Sequence, residues 1–275
     1  MGTVARAAVL GSPVTHSLSP VLHRAAYAEL GLDWSYEAIE CGEDELPGFV
    51  SGLDDSWAGL SLTMPLKRVA LDVADSVTPL ARDVGAANTL VLGDGRTADN
   101  TDVPGLRVAL TEAGLNRPRR PVLLGGGATA CSAAAALAGL GATGVVAVVR
   151  SEARAAELRT VAERFGMTCR FAGWPGDDEL SAADLVVSTV PGGTTDALVP
   201  YADRVVALFD VAYAPWPTAL AAAVESSGGT VVGGFELLLH QAALQVVAMT
   251  GREAPVAAMR RAGETELARR AGTAS

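Results

Sequence analysis

From Pro121 to Val149 the chain runs 29 residues without a charged side chain. That length could cross a bilayer, but glycines at 125, 126, 127, 139, 141 and 144 cut it into three pieces. Pro121 to Leu124 is a short apolar run suited to a buried strand. Thr129 to Leu140 is alanine-rich and long enough for a helix, and Val145 to Val149 is β-branched again. Strand, tight turn, helix and strand make a βαβ unit, because a parallel return needs a crossover of this length. The preceding Leu110 to Arg120 is polar, and a membrane span is not expected.

The same alternation continues on both sides. Downstream, a helix is expected over Arg154 to Phe165, strands at Asp184 to Thr189 and Val205 to Val211, a helix from Thr218, and a strand at Thr230 to Val232. This is the doubly wound pattern. Upstream, Val4 to Leu10 reads as a strand. Ser19 and Pro20 read as N-cap and first residue of a helix to Leu30. Trp34 to Ile39 is a strand, Glu45 to Leu53 a helix, Gly59 to Leu62 a strand and Pro65 to Ala74 a helix. Thr89 to Leu92 and Arg96 to Ala98 flank Gly93-Asp94-Gly95 as a hairpin, and Asp102 precedes a further helix. The helix Phe235 to Met249 and the arginine-rich tail after it have no strand partner, so they are expected to pack back on the first domain. The expected class is α/β: an N-terminal α/β domain (1–102 with 235–275) and a Rossmann-like doubly wound domain (103–234).

Thirty-one acidic against 21 basic residues give a formal charge of −10, which repels nucleic acid and anionic lipid surfaces alike. Neither partner is expected. The three cysteines, 41, 131 and 169, are an odd number without a Cys-x-x-Cys pair, so neither a disulfide framework nor a metal site is expected. The apolar run Ala7 to Leu10 is too short for a signal peptide. A reduced, cytoplasmic protein is the expectation.

Within Gly125-Gly126-Gly127-Ala128-Thr129-Ala130, Gly125 and Gly127 match the first two glycines of Gly-x-Gly-x-x-Gly, and Ala130 fills the third place, where alanine is allowed. The turn follows a strand and opens a helix, whose free N–H groups and dipole favour a pyrophosphate. An NAD site would end the next strand on an acidic residue. Here Arg150 and Ser151 stand there, with Arg154 one turn along, a set suited to a 2′-phosphate. NADP is the expected cofactor.

Of the 21 basic residues only Lys67 is lysine. Arginine stays protonated near neutral pH, whereas lysine can be tuned, so the one position not converted to arginine is a candidate for proton transfer. Lys67 lies in one of four polar stretches: Ser17-Leu18-Ser19-Pro20, Ser61 to Lys67, Ala86-Ala87-Asn88-Thr89 and Asn100-Thr101-Asp102. Together with Asp210-Val211-Ala212-Tyr213-Ala214-Pro215 and His240-Gln241-Ala242, in this order and spacing, they make the chain similar to the shikimate dehydrogenase family from about residue 10 to 251.

The resemblance implies reversible reduction of 3-dehydroshikimate to shikimate with NADPH, the ring held between a substrate-binding first domain and an NADP-binding second one. It implies Lys67 and Asp102 as the catalytic pair and Ser17, Ser19, Thr63, Asn88, Tyr213 and Gln241 as substrate ligands. Cofactor contacts are expected from Gly125, Gly126, Gly127, Ala128, Thr129, Arg150, Ser151, Arg154, Val211 and Gly234, and a homodimer is expected. Ser61 stands where the family usually has Asn, and Glu236 and Leu237 replace Gly and Met. A quinate- or aminoshikimate-oxidising relative, or a non-catalytic paralogue that binds nucleotide or ring acid, are the alternatives.

Overall fold

The computed structural model describes residues 4–273. Among the described residues no helix is long and apolar enough to cross a membrane. Backbone proximity divides the chain into two compact units, one running to Thr101 and resuming at Leu238, the other spanning Asp102 to Leu237. The outermost residues of the expected first domain, 1–3 and 274–275, lie outside the described residues.

The first unit begins with β1 (Ala5–Gly11), α1 (Ser19–Glu29), β2 (Trp34–Glu40), α2 (Leu46–Ser51) and β3 (Trp57–Leu62). It continues through β4 (Ser76–Val77), α3 (Pro79–Val84), β5 (Thr89–Gly93) and β6 (Gly95–Asp99). The sheet order is β2-β1-β3-β5-β6-β4. Strand β1 lies parallel to both neighbours, and its run Ala7 to Leu10 is buried, as a central strand requires. The expected hairpin is β5 with β6, antiparallel, turning where Gly93 pairs with Gly95 at a φ of +144°.

Two local expectations fail here. Ser19 does not cap α1: it is the first helical residue, buried, and Leu18 stands at the cap without a side-chain bond. The hydroxyl of Ser17 instead accepts the Ser19 N–H at 3.2 Å. The expected helix over Pro65 to Ala74 is reduced to turns and a single 3₁₀ turn at Val69–Leu71. The Lys67 carbonyl, which a helix would use internally, accepts the Ala87 N–H at 2.7 Å, and that tertiary bond holds the segment open. The α3 helix carries signals that the sequence reading passed over. Thr78 accepts the Ala81 N–H as a cap, Pro79 opens the helix, and Gly85 closes it in the left-handed conformation.

The second unit holds α4 (Asp102–Glu112), β7 (Pro121–Leu124), α5 (Ala128–Gly139), β8 (Gly144–Val149), α6 (Glu152–Arg164) and β9 (Thr168–Gly173). Then follow α7 (Asp177–Ala182), β10 (Leu185–Ser188), a 3₁₀ run at Asp196–Arg204, β11 (Ala207–Asp210), α8 (Ala219–Ser226) and β12 (Thr230–Gly233). Every neighbouring pair in the sheet order β12-β11-β10-β7-β8-β9 is parallel. This is the doubly wound order, reversing direction between β7 and β10, where such sheets bind ligands beyond the carboxyl ends of the strands. Val122, Val148, Val186 and Leu208 of the sheet are buried against Leu220 and Val224 of α8.

The chain ends with α9 (Gly234–Thr250) and α10 (Val256–Thr273). The arginine-rich tail is therefore a helix, and it packs on α1.

Candidate active site

In the second unit the glycine turn lies at the carboxyl end of β7, beside the point where the strand order reverses. Gly125 has a φ of +109°, and a Cβ there would come within 2.7 Å of the Thr189 hydroxyl at the end of β10. A Cβ at 126 would meet the Ala155 Cβ of α6 at 2.5 Å, whereas one at 127 would meet nothing within 4 Å. The first two glycines thus close the strand-helix packing, and the third faces open space. It caps α5 without a side-chain bond, and no acidic residue stands in that helix's first turn. Ala128 and Thr129 open the helix half-exposed, and Ala130 is buried. Unmet amides, a helix dipole and an absence of bulk suit a pyrophosphate.

One strand along, Arg150 follows β8 and Arg154 lies in the first turn of α6, both exposed. Ser151 caps α6 with no side-chain bond to it. Among the described residues neither guanidinium has an ion-pair partner. Glu152, the acidic residue of that first turn, pairs with Arg159 instead, and two exposed cations at a helix N-terminus oppose its dipole unless a further anion joins them, so the residues present fit a phosphorylated ribose.

Val211 and Gly234 are brought together: a Cβ at 234 would lie 1.9 Å from the Val211 carbonyl oxygen, and the Gly234 N–H donates to the Ala212 carbonyl at 3.0 Å. The loop between β11 and α8 carries Tyr213, half-buried. Asp210 anchors that loop, accepting the Ala212 N–H at 3.2 Å and the Thr218 hydroxyl at 3.0 Å. Burial pushes the Asp210 carboxyl pKa up, against those hydrogen bonds.

In the first unit Asn88 and Gln241 meet. The Asn88 amide nitrogen donates to Gln241 Oε1 at 3.1 Å and to the Thr101 hydroxyl at 2.9 Å. Asn88 Oδ1 accepts the Thr101 N–H at 2.8 Å and the Thr89 hydroxyl at 3.0 Å. The second residue of Asn100-Thr101-Asp102 therefore clamps Asn88. Asn100 pins the neighbouring loop by donating to the Ala86 carbonyl at 2.9 Å, and Asp102 follows as the buried first residue of α4. Lys67 is half-buried and tied to this loop through its carbonyl. Thr63 is half-buried against Gly11, where a Cβ would fall 2.3 Å from the Thr63 methyl.

Sequence reasoning missed the buried layer beneath these residues. Ser61 accepts from the Tyr36 hydroxyl at 2.6 Å and donates to Gln245 Oε1 at 2.7 Å. Ser19 also hydrogen-bonds Tyr36. His23 stacks on Tyr36 with ring centroids 4.0 Å apart and reaches Gln245 at 3.3 Å. Burial drives the His23 pKa down to about 3, although the Gln245 bond works the other way, and burial raises the pKa of Tyr36 and of Tyr27, whose hydroxyl lies 3.3 Å from His23 Nδ1. His23 and Gln245 lie 222 residues apart, so no local pattern could have paired them.

Residues 9–90 match the family model described as the shikimate dehydrogenase substrate binding domain, and residues 234–262 match that of the shikimate 5'-dehydrogenase C-terminal domain. The shikimate dehydrogenase (NADP(+)) of Methanopyrus kandleri is 36% identical over 273 residues, covering 92% of this chain and 93% of the relative. Among solved structures, the shikimate dehydrogenase of Mycobacterium tuberculosis is 44% identical with a TM-score of 0.87, over 95% of this chain and 99% of that one. The shikimate 5-dehydrogenase of Thermus thermophilus, solved in complex with NADP(H) and shikimate, is 32% identical with a TM-score of 0.83, over 95% and 99%.

Proposed function

The chain belongs to the shikimate dehydrogenase family, and from that premise we propose that it is an oxidoreductase that reversibly reduces 3-dehydroshikimate to shikimate with NADPH, a step of aromatic biosynthesis. The observation that carries this reading is the meeting of Asn88, Thr101 and Gln241, from three separate signature stretches, in one buried polar cluster. A polyol ring needs neutral donors and acceptors held in fixed directions, and this cluster supplies them. Ser17, Ser19, Thr63 and Tyr213 complete the proposed substrate set, the serine hydroxyls facing the ring carboxylate.

The dinucleotide, when bound, supplies the hydride. Gly125, Gly126, Gly127, Ala128 and Thr129 would hold its pyrophosphate through main-chain groups, Arg150, Ser151 and Arg154 would take its 2′-phosphate, and Val211 and Gly234 would line the nicotinamide end. Charge builds on the ketone oxygen during reduction, and Lys67 donates the proton there. Asp102 orients the lysine and the ring hydroxyl, and in the oxidative direction Lys67 takes the proton back. A cytoplasmic location and a homodimer are part of this proposal, the second read by sedimentation of the purified chain.

Reduction of NADP+, followed by absorbance with shikimate, with quinate and with neither, is the test. Turnover with shikimate well above quinate is expected. Preference for quinate would replace the substrate assignment, and no turnover with any ring acid would favour a binding protein.

A further inference from the structure

We propose that Gln245, which no substrate or cofactor role absorbs, is a positioning residue of the ring-acid pocket: beside the Thr101 amide, it holds Asn88 and through it Gln241 in place by way of the Asn88 carbonyl and the Thr89 hydroxyl. The inference rests on the proposed function of that pocket.

Main-chain groups, whose hydrogen-bonding sense is fixed, settle the directions. Gln245 Nε2 faces the Asn88 carbonyl at 3.0 Å, and a carbonyl only accepts. The amide nitrogen must therefore point there, and it also donates to the Thr89 hydroxyl at 3.0 Å. Gln245 Oε1 is then left to accept from Ser61 at 2.7 Å and from His23 Nε2 at 3.3 Å. Having accepted from Gln245, the Thr89 hydroxyl donates to Asn88 Oδ1, where the Thr101 N–H independently requires an acceptor. Asn88 Nδ2 then donates to Gln241 Oε1, and Gln241 Nε2 meets the Leu238 carbonyl at 2.9 Å. The side-chain bonds from Tyr36 through Ser61, Gln245, Thr89 and Asn88 to Gln241 run one way.

The consequence reaches the substrate. With Gln241 Oε1 taken by Asn88 and one Nε2 hydrogen taken by Leu238, the other Nε2 hydrogen is presented as a donor. Ser61 belongs to this chain of bonds. The short side chain at a place where the family usually carries Asn serves Tyr36 and Gln245.

Gln245→Met keeps the length and removes both donors. Losing the bonds from Gln245 to the Asn88 carbonyl and the Thr89 hydroxyl loosens Asn88 by about one neutral hydrogen bond, so the KM for shikimate should rise about tenfold, with kcat and the KM for NADP+ within threefold. A residue that only supported the fold would lower the thermal midpoint and the active fraction and leave the KM of the active fraction unchanged. Tyr36→Phe removes one hydroxyl upstream without changing shape, and it should raise the same KM about threefold. If Gln245→Met does not fold, Ser61→Ala, which removes the donor to Gln245 and leaves Ser19 its Tyr36 partner, carries the test. An unchanged shikimate KM in the folded variants, with the unsubstituted chain oxidising shikimate normally, overturns the inference alone. Absence of turnover in the unsubstituted chain overturns the proposed function and this inference with it.

Discussion

Protonation of His23 is where acid should act on this fold. The ring is fully buried, stacked on Tyr36, and bonded to Tyr27 and Gln245. With Nε2 donating to the Gln245 oxygen, Nδ1 must accept from the Tyr27 hydroxyl, and no place remains for a second proton. Its pKa is held down to about 3 against an ordinary 6.5. Between those two values the unfolded chain binds a proton that the folded chain refuses, so stability is complete above pH 6.5 and falls as the pH drops toward 3. The slope is about 1.4 kcal/mol per pH unit, which makes the loss about 2 kcal/mol between pH 7 and pH 5. His23→Phe keeps a ring against Tyr36 and removes the titration. It costs stability at every pH, because Gln245 and Tyr27 each lose a partner, but the cost should shrink by about 2 kcal/mol on going from pH 7 to pH 5. Urea unfolding of both chains across that range measures the difference, with every other titrating group cancelling. Parallel stability curves, within about 0.5 kcal/mol at all pH values, would refute a buried neutral His23.

Three further outcomes concern the proposed catalytic and nucleotide-binding residues. Lys67→Ala should lower kcat at least a hundredfold with little change in the shikimate KM, as expected for a proton transfer made in the transition state; steady-state kinetics with near-normal kcat would remove Lys67 from the mechanism. Gly127→Ala should leave the thermal midpoint within about 2 °C, since its Cβ enters open space, yet weaken NADP+ binding in calorimetry. Gly126→Ala should lower the midpoint instead, because its Cβ runs into Ala155, and equal behaviour of the two would contradict the turn's assigned geometry. Arg150→Ala combined with Arg154→Ala should raise the NADP+ KM at least tenfold and leave the NAD+ KM within about twofold, as loss of charge-assisted bonds to a phosphate requires; equal losses for both nucleotides would refute the 2′-phosphate assignment.

How much of this was legible in the sequence depended on the range of the deciding interaction. The glycine turn could be read because the positive φ at Gly125 is a demand of the local chain, and glycine meets it without strain. Pro65 to Ala74 misled because its pattern is helical while its fate is set by the Ala87 N–H, some twenty residues away, taking the Lys67 carbonyl. The final helix was missed for the opposite reason. Its polar residues read as a solvated tail, although Glu266 with Arg270 and Arg260 with Glu264 are spaced one helical turn apart and do pair.

The same distinction separates the two kinds of site residue. Where function asks for absence of bulk, as at the phosphate turn, the residue type is itself the message. Where function asks for a direction, as in Asn88 and Gln241, the message lies in which neighbour donates, and those neighbours sit 153 residues apart. Composition singled out Lys67 because a rare residue must justify its retention. Gln245 is nearly as rare, one of two glutamines in the chain, and the same reasoning would have marked it, but its partners Ser61, His23 and Thr89 come from three elements far apart in sequence. A buried glutamine can act only through the polarity of the groups around it. That polarity is fixed here by two main-chain groups, the Asn88 carbonyl and the Thr101 amide, so it exists only once the sheet has formed. The orientation of the proposed substrate donors is therefore a property of the folded first unit rather than of any motif within it.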